Sequence, residues 1–121
     1  MRNNIKAYKV VYVDGYGERV SAISNSVARE VQYKTDGSLI YPRVGANPFL
    51  FIFDTFDNAK AFYSIRSQYT LQCFELWEVE ANNVRDNAQF NNCGWRTSSD
   101  AHGFPTGTLF CSSLRMIKCI L

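Results

Sequence analysis

Short β-branched and aromatic segments, separated by Gly, Pro, Asn and Asp, hold most of the apolar residues of this chain and constrain its fold most strongly. Residues 5–13, 19–24 and 27–33 have this strand character. Between them lie an Asp-Gly-Tyr-Gly sequence at residues 14–17 and a Thr-Asp-Gly sequence at 35–37, whose glycines supply the positive φ of tight turns. The pattern predicts an antiparallel meander that begins with a hairpin.

The next segment, residues 49–54, is a continuous apolar run between Pro48 and an acidic residue. A run of this length without alternation is typical of a strand that is buried on both faces. We expect it to be central in the sheet. Thr55 can then accept the free amide hydrogens at a helix start, and the apolar residues that follow recur at helical spacing: Phe56, Ala59, Phe62 and Tyr63. One amphipathic helix is predicted over about residues 56–67.

The second half of the chain returns to strand character at residues 71–81, where Cys73, Trp77 and Val79 alternate with Phe74 and Leu76. Residues 108–113 and 114–121 close the sheet. The long polar stretch between these strands, residues 82–107, has no strand periodicity, and residues 84–91 are the candidate for a second short helix. The predicted fold class is α+β, a mainly antiparallel sheet with one helix, in a single domain over residues 1–121.

Composition restricts the classes of partner and compartment. A formal net charge of +2 gives no basic field of the kind that drives nonspecific nucleic-acid binding. Apolar runs are far shorter than the roughly 20 residues of a membrane-spanning helix. No secretory signal precedes the first strand, which favours a cytoplasmic protein.

The cysteines, at positions 73, 93, 111 and 119, are then expected to be reduced core thiols, and none has another Cys or His at zinc-finger spacing.

A catalytic interpretation would take Cys93 as nucleophile, His102 as base and Asp100 as the group that orients the base. Asp100 and His102 are only two residues apart in a loop rich in Gly and Ser, and no nucleophile motif surrounds Cys93. The glycines of residues 14–17 lack the third glycine and the following helix of a dinucleotide site. We therefore expect no enzymatic activity, no catalytic residues, no metal and no cofactor.

A ligand site is the more interesting possibility in the long loop. Trp95 offers an aromatic plane on which a base can stack. Four arginines can each bind phosphate oxygens at two points: Arg96 in the loop, and Arg43, Arg66 and Arg115 elsewhere. The alternative is that Trp95 anchors the loop to the core while the arginines are solvated. The residues alone leave both interpretations open.

The order of strand cores and turns resembles a family of small bacteriophage proteins. The similar segments are residues 6–11 (Lys-Ala-Tyr-Lys-Val-Val), 20–23 (Val-Ser-Ala-Ile), 31–34 (Val-Gln-Tyr-Lys), 42–43 (Pro-Arg), 50–54 (Leu-Phe-Ile-Phe-Asp) with Ala59 and Phe62, 76–80 (Leu-Trp-Glu-Val-Glu) and 107–108 (Gly-Thr). In this order they resemble the Thoeris anti-defence sponge family, which sequesters cyclic ADP-ribose isomers made by host TIR proteins.

This resemblance implies a non-enzymatic viral protein of the bacterial cytoplasm that binds a cyclic nucleotide signal intact. The pockets would form where subunits of a homo-oligomer meet. An aromatic ring against adenine, arginines on the pyrophosphate and small polar groups on the riboses would hold such a ligand. Residues with this chemistry are Arg19, Arg43, Asn92, Trp95, Arg96, Thr97 and Arg115.

Two other functions stay open at this stage. A small inhibitor of the anti-CRISPR kind would bind a host defence protein directly through residues 38–48 and 82–107, because exposed aromatic and Arg side chains make good interface anchors. An enzyme that cleaves a nucleotide signal is the third hypothesis, and it would require His102 or Asp100 for turnover.

Overall fold

The computed structural model describes residues 3–22, 31–42, 49–69, 73–85 and 105–121. These residues form an α+β fold with one helix and a six-stranded antiparallel sheet, as the sequence predicts. The elements in chain order are β1 (Ile5–Val13), β2 (Arg19–Ser21), β3 (Leu50–Phe53), α1 (Phe56–Tyr69), β4 (Cys73–Asn82), β5 (Thr108–Cys111) and β6 (Ser113–Cys119).

The strands are arranged in the order β5-β3-β1-β4-β6, and β2 pairs with β1 beside this path. β1 and β4 pair along their whole length, from Ile5 opposite Ala81 to Val13 opposite Cys73. The other edge of β1 is divided, because β3 pairs at Tyr8 and β2 pairs at residues 11–13. We call the place where β1 passes from β3 to β2 the strand fork; it contains Lys9.

The two ends of the strand order meet, so the sheet curls back on itself. β5 and β6 lie at opposite ends of the order but are separated by Ser112 alone. Arg85, three residues beyond β4, exchanges backbone hydrogen bonds with Phe110 of β5 at 2.7 and 2.8 Å. A second short helix therefore does not begin at residue 84 as predicted, because this backbone is extended and paired; residues 86–91 of that prediction lie outside the described residues.

Helix α1 packs on one side of the sheet, which we call the helix face. Thr55 caps it, since its Oγ1 accepts the Asn58 N–H at 3.2 Å. Gly107 lies against this helix start with φ of +84°, and a Cβ there would come within 2.5 Å of Asp54 Oδ1. The apolar residues of this layer are Tyr8, Val10, Tyr12, Phe51, Phe53, Phe56, Ala59, Phe62, Tyr63, Phe74, Leu76 and Phe110. The predicted helix is confirmed and extends two residues further, to Tyr69.

The opposite side of the sheet, which we call the inner face, is also buried. Its apolar layer includes Ala7, Val11, Leu50, Ile52, Trp77, Val79, Ala81, Cys111, Leu114 and Met116. Val31, Tyr33 and Ile40 cover this layer from the segment that follows β2. Alternation along β4 thus places Trp77 and Val79 opposite to Phe74 and Leu76, as predicted, and β3 is buried on both faces.

Two local predictions were wrong. Residues 31–33, the described part of the strand predicted over 27–33, belong to no strand. Within the described ranges, a backbone bond from Tyr33 N–H to the Arg19 carbonyl holds them beside β2. Cys73 and Cys119 were expected in the core, but both lie at strand ends and are exposed; Cys111 is buried, and all three are free thiols. Cys93 lies outside the described residues.

Candidate binding site

Arg19, the first residue of β2, is held in a fixed orientation by Glu75 of β4. Its Nε donates to Glu75 Oε1 at 2.6 Å and its Nη2 donates to Oε2 at 3.3 Å. The two residues come together because β2 and β4 flank β1 on either side, where Val13 lies opposite Arg19 and Val11 lies opposite Glu75. Both side chains are half-buried, so this two-point pair is more rigid than a surface ion pair.

Trp77 completes this arrangement on the inner face. Its Nε1 donates to Glu75 Oε1 at 2.9 Å, and its ring centroid lies 5.8 Å from the Arg19 guanidinium carbon. The hydrogen bonds from Arg19 and then from Trp77 lower the pKa of Glu75, and the bond to Glu75 raises the pKa of Arg19. Glu75 is therefore a carboxylate at neutral pH. Arg19 Nη1 has no hydrogen bond to the part of the chain that the structure describes.

A pocket of about 260 Å³ lies beside Arg19, between the end of the first turn and the segment that follows β2. Its walls are residues 17–19 on one side and residues 32–36 on the other. The two walls are joined by the 2.8 Å bond from Tyr33 N–H to the Arg19 carbonyl. Arg19 and Lys34 bring positive charge to the lining, and Glu18 and Asp36 bring negative charge. Asp36 is engaged with its own turn, because its Oδ1 accepts from Ser38 N–H and Oγ–H.

Arg115 lies away from this pocket. It is opposite Glu80 in the β4–β6 pair, and its Nε lies 3.7 Å from Glu80 Oε1. Glu80 is five residues beyond Glu75 on β4, so the two acids lie on opposite faces of the strand, about 17 Å apart along it. The structure therefore does not bring Arg19 and Arg115 into one site within a single chain.

The other predicted ligand residues lie outside the described residues. They are Arg43, Asn92, Trp95, Arg96 and Thr97. The catalytic alternative of Cys93, Asp100 and His102 lies outside them as well. Their contribution to a site stays a prediction.

Lys9, which sequence analysis did not single out, is completely buried at the strand fork. Its Nζ donates to Ser21 Oγ of β2 at 2.9 Å and to the Phe51 carbonyl of β3 at 2.5 Å. The Tyr33 ring centroid is 4.8 Å from Nζ, and Trp77 is the residue opposite Lys9 on β4. The amine thus lies against the ring of Tyr33, which also lines the pocket.

Burial dominates the ionisation of this cluster. It lowers the pKa of Lys9 from 10.5 to about 7, and the nearby Cys111 acts weakly in the other direction. Burial also raises the pKa of Tyr33 and raises that of the Cys111 thiol to about 12. Near neutral pH the cluster is therefore an amine close to half protonation among a neutral phenol and a neutral thiol.

A signal for Lys9 is present in the sequence. Along β1 it shares a face with Ala7 and Val11, whereas Lys6 lies on the other face and is exposed. A lysine on the apolar face of a strand is rarely buried without a partner. The alternation along β1 therefore indicates that Lys9 faces the core and Lys6 faces away from it.

No described helix has the length and apolar character to cross a membrane. Within the described ranges, no group of three or more His, Cys, Asp or Glu residues could hold a metal ion. Comparison of the chain with models of protein families, with curated proteins and with solved structures gives no match.

Proposed function

We propose that this protein binds a cyclic nucleotide of the cyclic ADP-ribose type and sequesters it without cleaving it, as a phage-type immune-evasion protein in a bacterial cytoplasm. The observation that carries the proposal is the pocket beside Arg19, whose guanidinium is oriented by Glu75 and Trp77. The likeness of the strand cores to the Thoeris anti-defence sponges, argued above, names the ligand class.

The chemistry of the pocket suits an anionic ligand with polar edges. Arg19 keeps one guanidinium nitrogen, Nη1, for a phosphate oxygen while Glu75 fixes the plane of the group. Lys34 is exposed on the opposite wall and can approach the same anion. Gln32 and Thr35 supply amide and hydroxyl groups for ribose hydroxyls. A pyrophosphate would therefore lie toward Arg19 and Lys34, away from the carboxylates of the lining.

The size of the pocket supports a site to which more than one chain contributes. Small-molecule sites typically enclose about 300–1,000 Å³, and the present pocket has about 260 Å³. A cyclic dinucleotide-sized ligand would need further walls, from a second subunit or from Trp95, Arg96 and Thr97. A homo-oligomer with shared pockets satisfies this requirement.

The test is calorimetric titration of the purified protein with cyclic ADP-ribose isomers, followed by chromatography of the ligand released by denaturation. We expect binding and recovery of unchanged ligand. Arg19→Lys keeps the charge and one bond to Glu75 but removes the planar two-point geometry, so we expect affinity to fall about tenfold or more. Lys118→Ala, which removes an exposed charge on β6, is the matched control and should leave affinity unchanged.

If the released ligand is chemically altered, the protein cleaves the ligand and does not merely sequester it. Absence of binding across the isomers would contradict the proposal. If Arg19→Lys and the unmodified protein bind the ligand with equal affinity, Arg19 does not contribute to the site. The proposal of sequestration would not be affected by that result.

One observation favours a second function, inhibition of a host defence protein by direct binding. Tyr16 at the tip of the β1–β2 turn is 93% exposed, and Tyr41 and Leu39 are also exposed. Exposed aromatic side chains are frequent anchors of protein interfaces. Tyr16→Ala together with Tyr41→Ala should abolish complex formation with such a target and leave nucleotide binding unchanged.

A further inference from the structure

The side chain of Lys9 bridges the two strands that meet β1 at the strand fork. β2 and β3 both pair with β1, at different residues, and Lys9 Nζ contacts both of them through Ser21 Oγ and the Phe51 carbonyl. In the part of the chain that the structure describes, β2 pairs with β1 at three residues, the Ala22 N–H donates to the Val10 carbonyl, and the Tyr33 N–H donates to the Arg19 carbonyl of β2. The Lys9 amine therefore adds a side-chain link to the backbone bonds at this corner of the sheet.

The surroundings of Lys9 favour the neutral amine over the ammonium ion. Lys9 forms no ion pair with the described residues, and the side chain is 0% exposed. The titratable groups that face it are Tyr33, from the segment after β2, and Cys111, from β5, and both are neutral near pH 7. On β4 the nearest charged group, Glu75, is already paired with Arg19. A neutral amine keeps two N–H groups, which can donate to the Phe51 carbonyl and to Ser21 Oγ, so it loses neither hydrogen bond.

We propose that the strand fork is a proton-sensitive joint, in which neutral Lys9 ties β2 to β3 and protonation of Lys9 loosens β2 and Tyr33 from the sheet. An ammonium ion needs water or a carboxylate, and opening of the joint supplies water. This inference does not depend on the proposed ligand, although Tyr33 belongs both to the joint and to the pocket wall.

The direction of the effect follows from proton linkage. In the open form Lys9 has its ordinary pKa of 10.5, and in the closed form its pKa is about 7. The open form therefore binds more protons between pH 7 and 10.5, and closing becomes more favourable as pH rises through that range. Well below pH 7 both forms are protonated, so the equilibrium changes little there. Cys111 and Tyr33 have ordinary pKa values of 9.0 and 10.0, so the interval from pH 7 to 9 reports Lys9.

Amide hydrogen exchange tests the joint in the whole protein. The reporter amides are Ala22, bonded to the Val10 carbonyl, and Tyr33, bonded to the Arg19 carbonyl; Ile120, bonded to the Leu76 carbonyl on the far side of β4, is the internal reference. After correction for intrinsic exchange, we expect the protection of Ala22 and Tyr33 to rise roughly 50-fold from pH 7 to 9 and to change only about twofold from pH 5 to 7.

Two variants show whether Lys9 is responsible. Lys9→Met keeps the length of the side chain and removes the titratable amine. The rise in amide protection from pH 7 to 9 should therefore disappear. Lys6→Met removes an exposed lysine from the same strand and should retain the rise. The joint is ruled out by equal protection at pH 7 and 9 in the unmodified protein, by an equal rise at Ile120, or by a rise that persists in Lys9→Met. If Lys9→Met does not fold, the test is the ratio of the Ala22 and Tyr33 protection factors at pH 9 and pH 7 in the unmodified protein, with Ile120 as the reference.

Discussion

The two faces of one sheet are both buried, but they differ in chemistry. The helix face is an aromatic layer in which the ring centroids of Phe51 and Phe110 lie 5.4 Å apart and Phe53 packs against Phe62 of α1. The inner face has a similar apolar layer and also buries Lys9, Tyr33 and Cys111. Burial alone therefore does not describe a core, because the inner face buries an amine and a thiol whose pKa values are shifted, whereas the most deeply buried rings of the helix face are phenylalanines.

The difference predicts different behaviour when pH changes. Phe–Phe packing responds to lost volume at any pH, since no group in it changes charge. The inner face responds to pH, because the pKa values of Lys9 and Cys111 move in opposite directions on burial. Substitutions in the helix face should therefore cause the largest losses in the free energy of unfolding. Groups of the inner face should cause the largest change of that free energy with pH.

The largest expected effect is that of Phe53→Ala on the helix face. Phe53 is 0% exposed and its ring lies 5.4 Å from that of Phe62 of α1. Loss of the ring should lower the free energy of unfolding by about 3–5 kcal/mol, by the same amount at pH 7 and 9. Urea denaturation measures this, and Ile65→Ala, on the exposed side of α1, is the control that should cost far less. A loss at Phe53 below about 1 kcal/mol would contradict the aromatic layer.

The next effect concerns Lys9. Its pKa is lower in the folded state than in the unfolded state, so the unfolded state binds more protons above pH 7 and stability rises with pH. From pH 7 to 9 the free energy of unfolding should increase by on the order of 2 kcal/mol. Lys9→Met should show no such increase in urea denaturation, while Lys6→Met should show it. An increase of the same size in Lys9→Met would assign the pH dependence to another group.

A smaller effect separates Cys111 from Lys9. Folding raises the pKa of Cys111 from 9.0 to about 12, so the folded state keeps a proton that the unfolded state loses, and stability falls as pH rises above 9. Between pH 9 and 10 this loss should offset the gain from Lys9, and stability should level off. In Cys111→Ala the rise should continue to pH 10, by about 1 kcal/mol relative to the unmodified protein. A plateau that survives the substitution would exclude the thiol as its cause.

The smallest effect belongs to Arg115, on the exposed part of the helix face beyond α1. Its ion pair with Glu80 is long, at 3.7 Å, and both side chains are about 40% exposed. Arg115→Ala should change the free energy of unfolding by less than about 0.5 kcal/mol. If the same variant weakens nucleotide binding, Arg115 acts in a pocket of an oligomer; unchanged binding would leave Arg19 as the described arginine of the site.

The sequence predicted the helix face well because its signals are local. The unbroken apolar run of β3 and the cap at Thr55 each depend on neighbouring residues, and both are observed. Predictions that required distant partners were less successful. Residues 31–33 look like a strand but cover the inner face with a backbone bond to β2, and Arg85 is extended because Phe110 pairs with it across the closed sheet.

The candidate site depends almost entirely on such distant contacts. Arg19 was predicted from its chemistry, but its pairing with Glu75, 56 residues away, arises from the order of the strands. Lys9 was missed although alternation places it on an apolar face, because its burial needs both β2 and β3 to reach β1. Strand periodicity indicates which face a residue takes, and only the topology indicates what covers that face.

The most direct test of the difference between the faces is the titration of Lys9 in the intact protein. Nuclear magnetic resonance of selectively ¹³C-labelled lysine follows the Cε shift of each lysine from pH 5 to 11, and Lys9→Met assigns the Lys9 signal. A midpoint near pH 7 for Lys9 is the predicted result. A Lys9 midpoint near 10.5 would mean that the amine is hydrated or paired, and the inner face would then be no more sensitive to protons than the helix face.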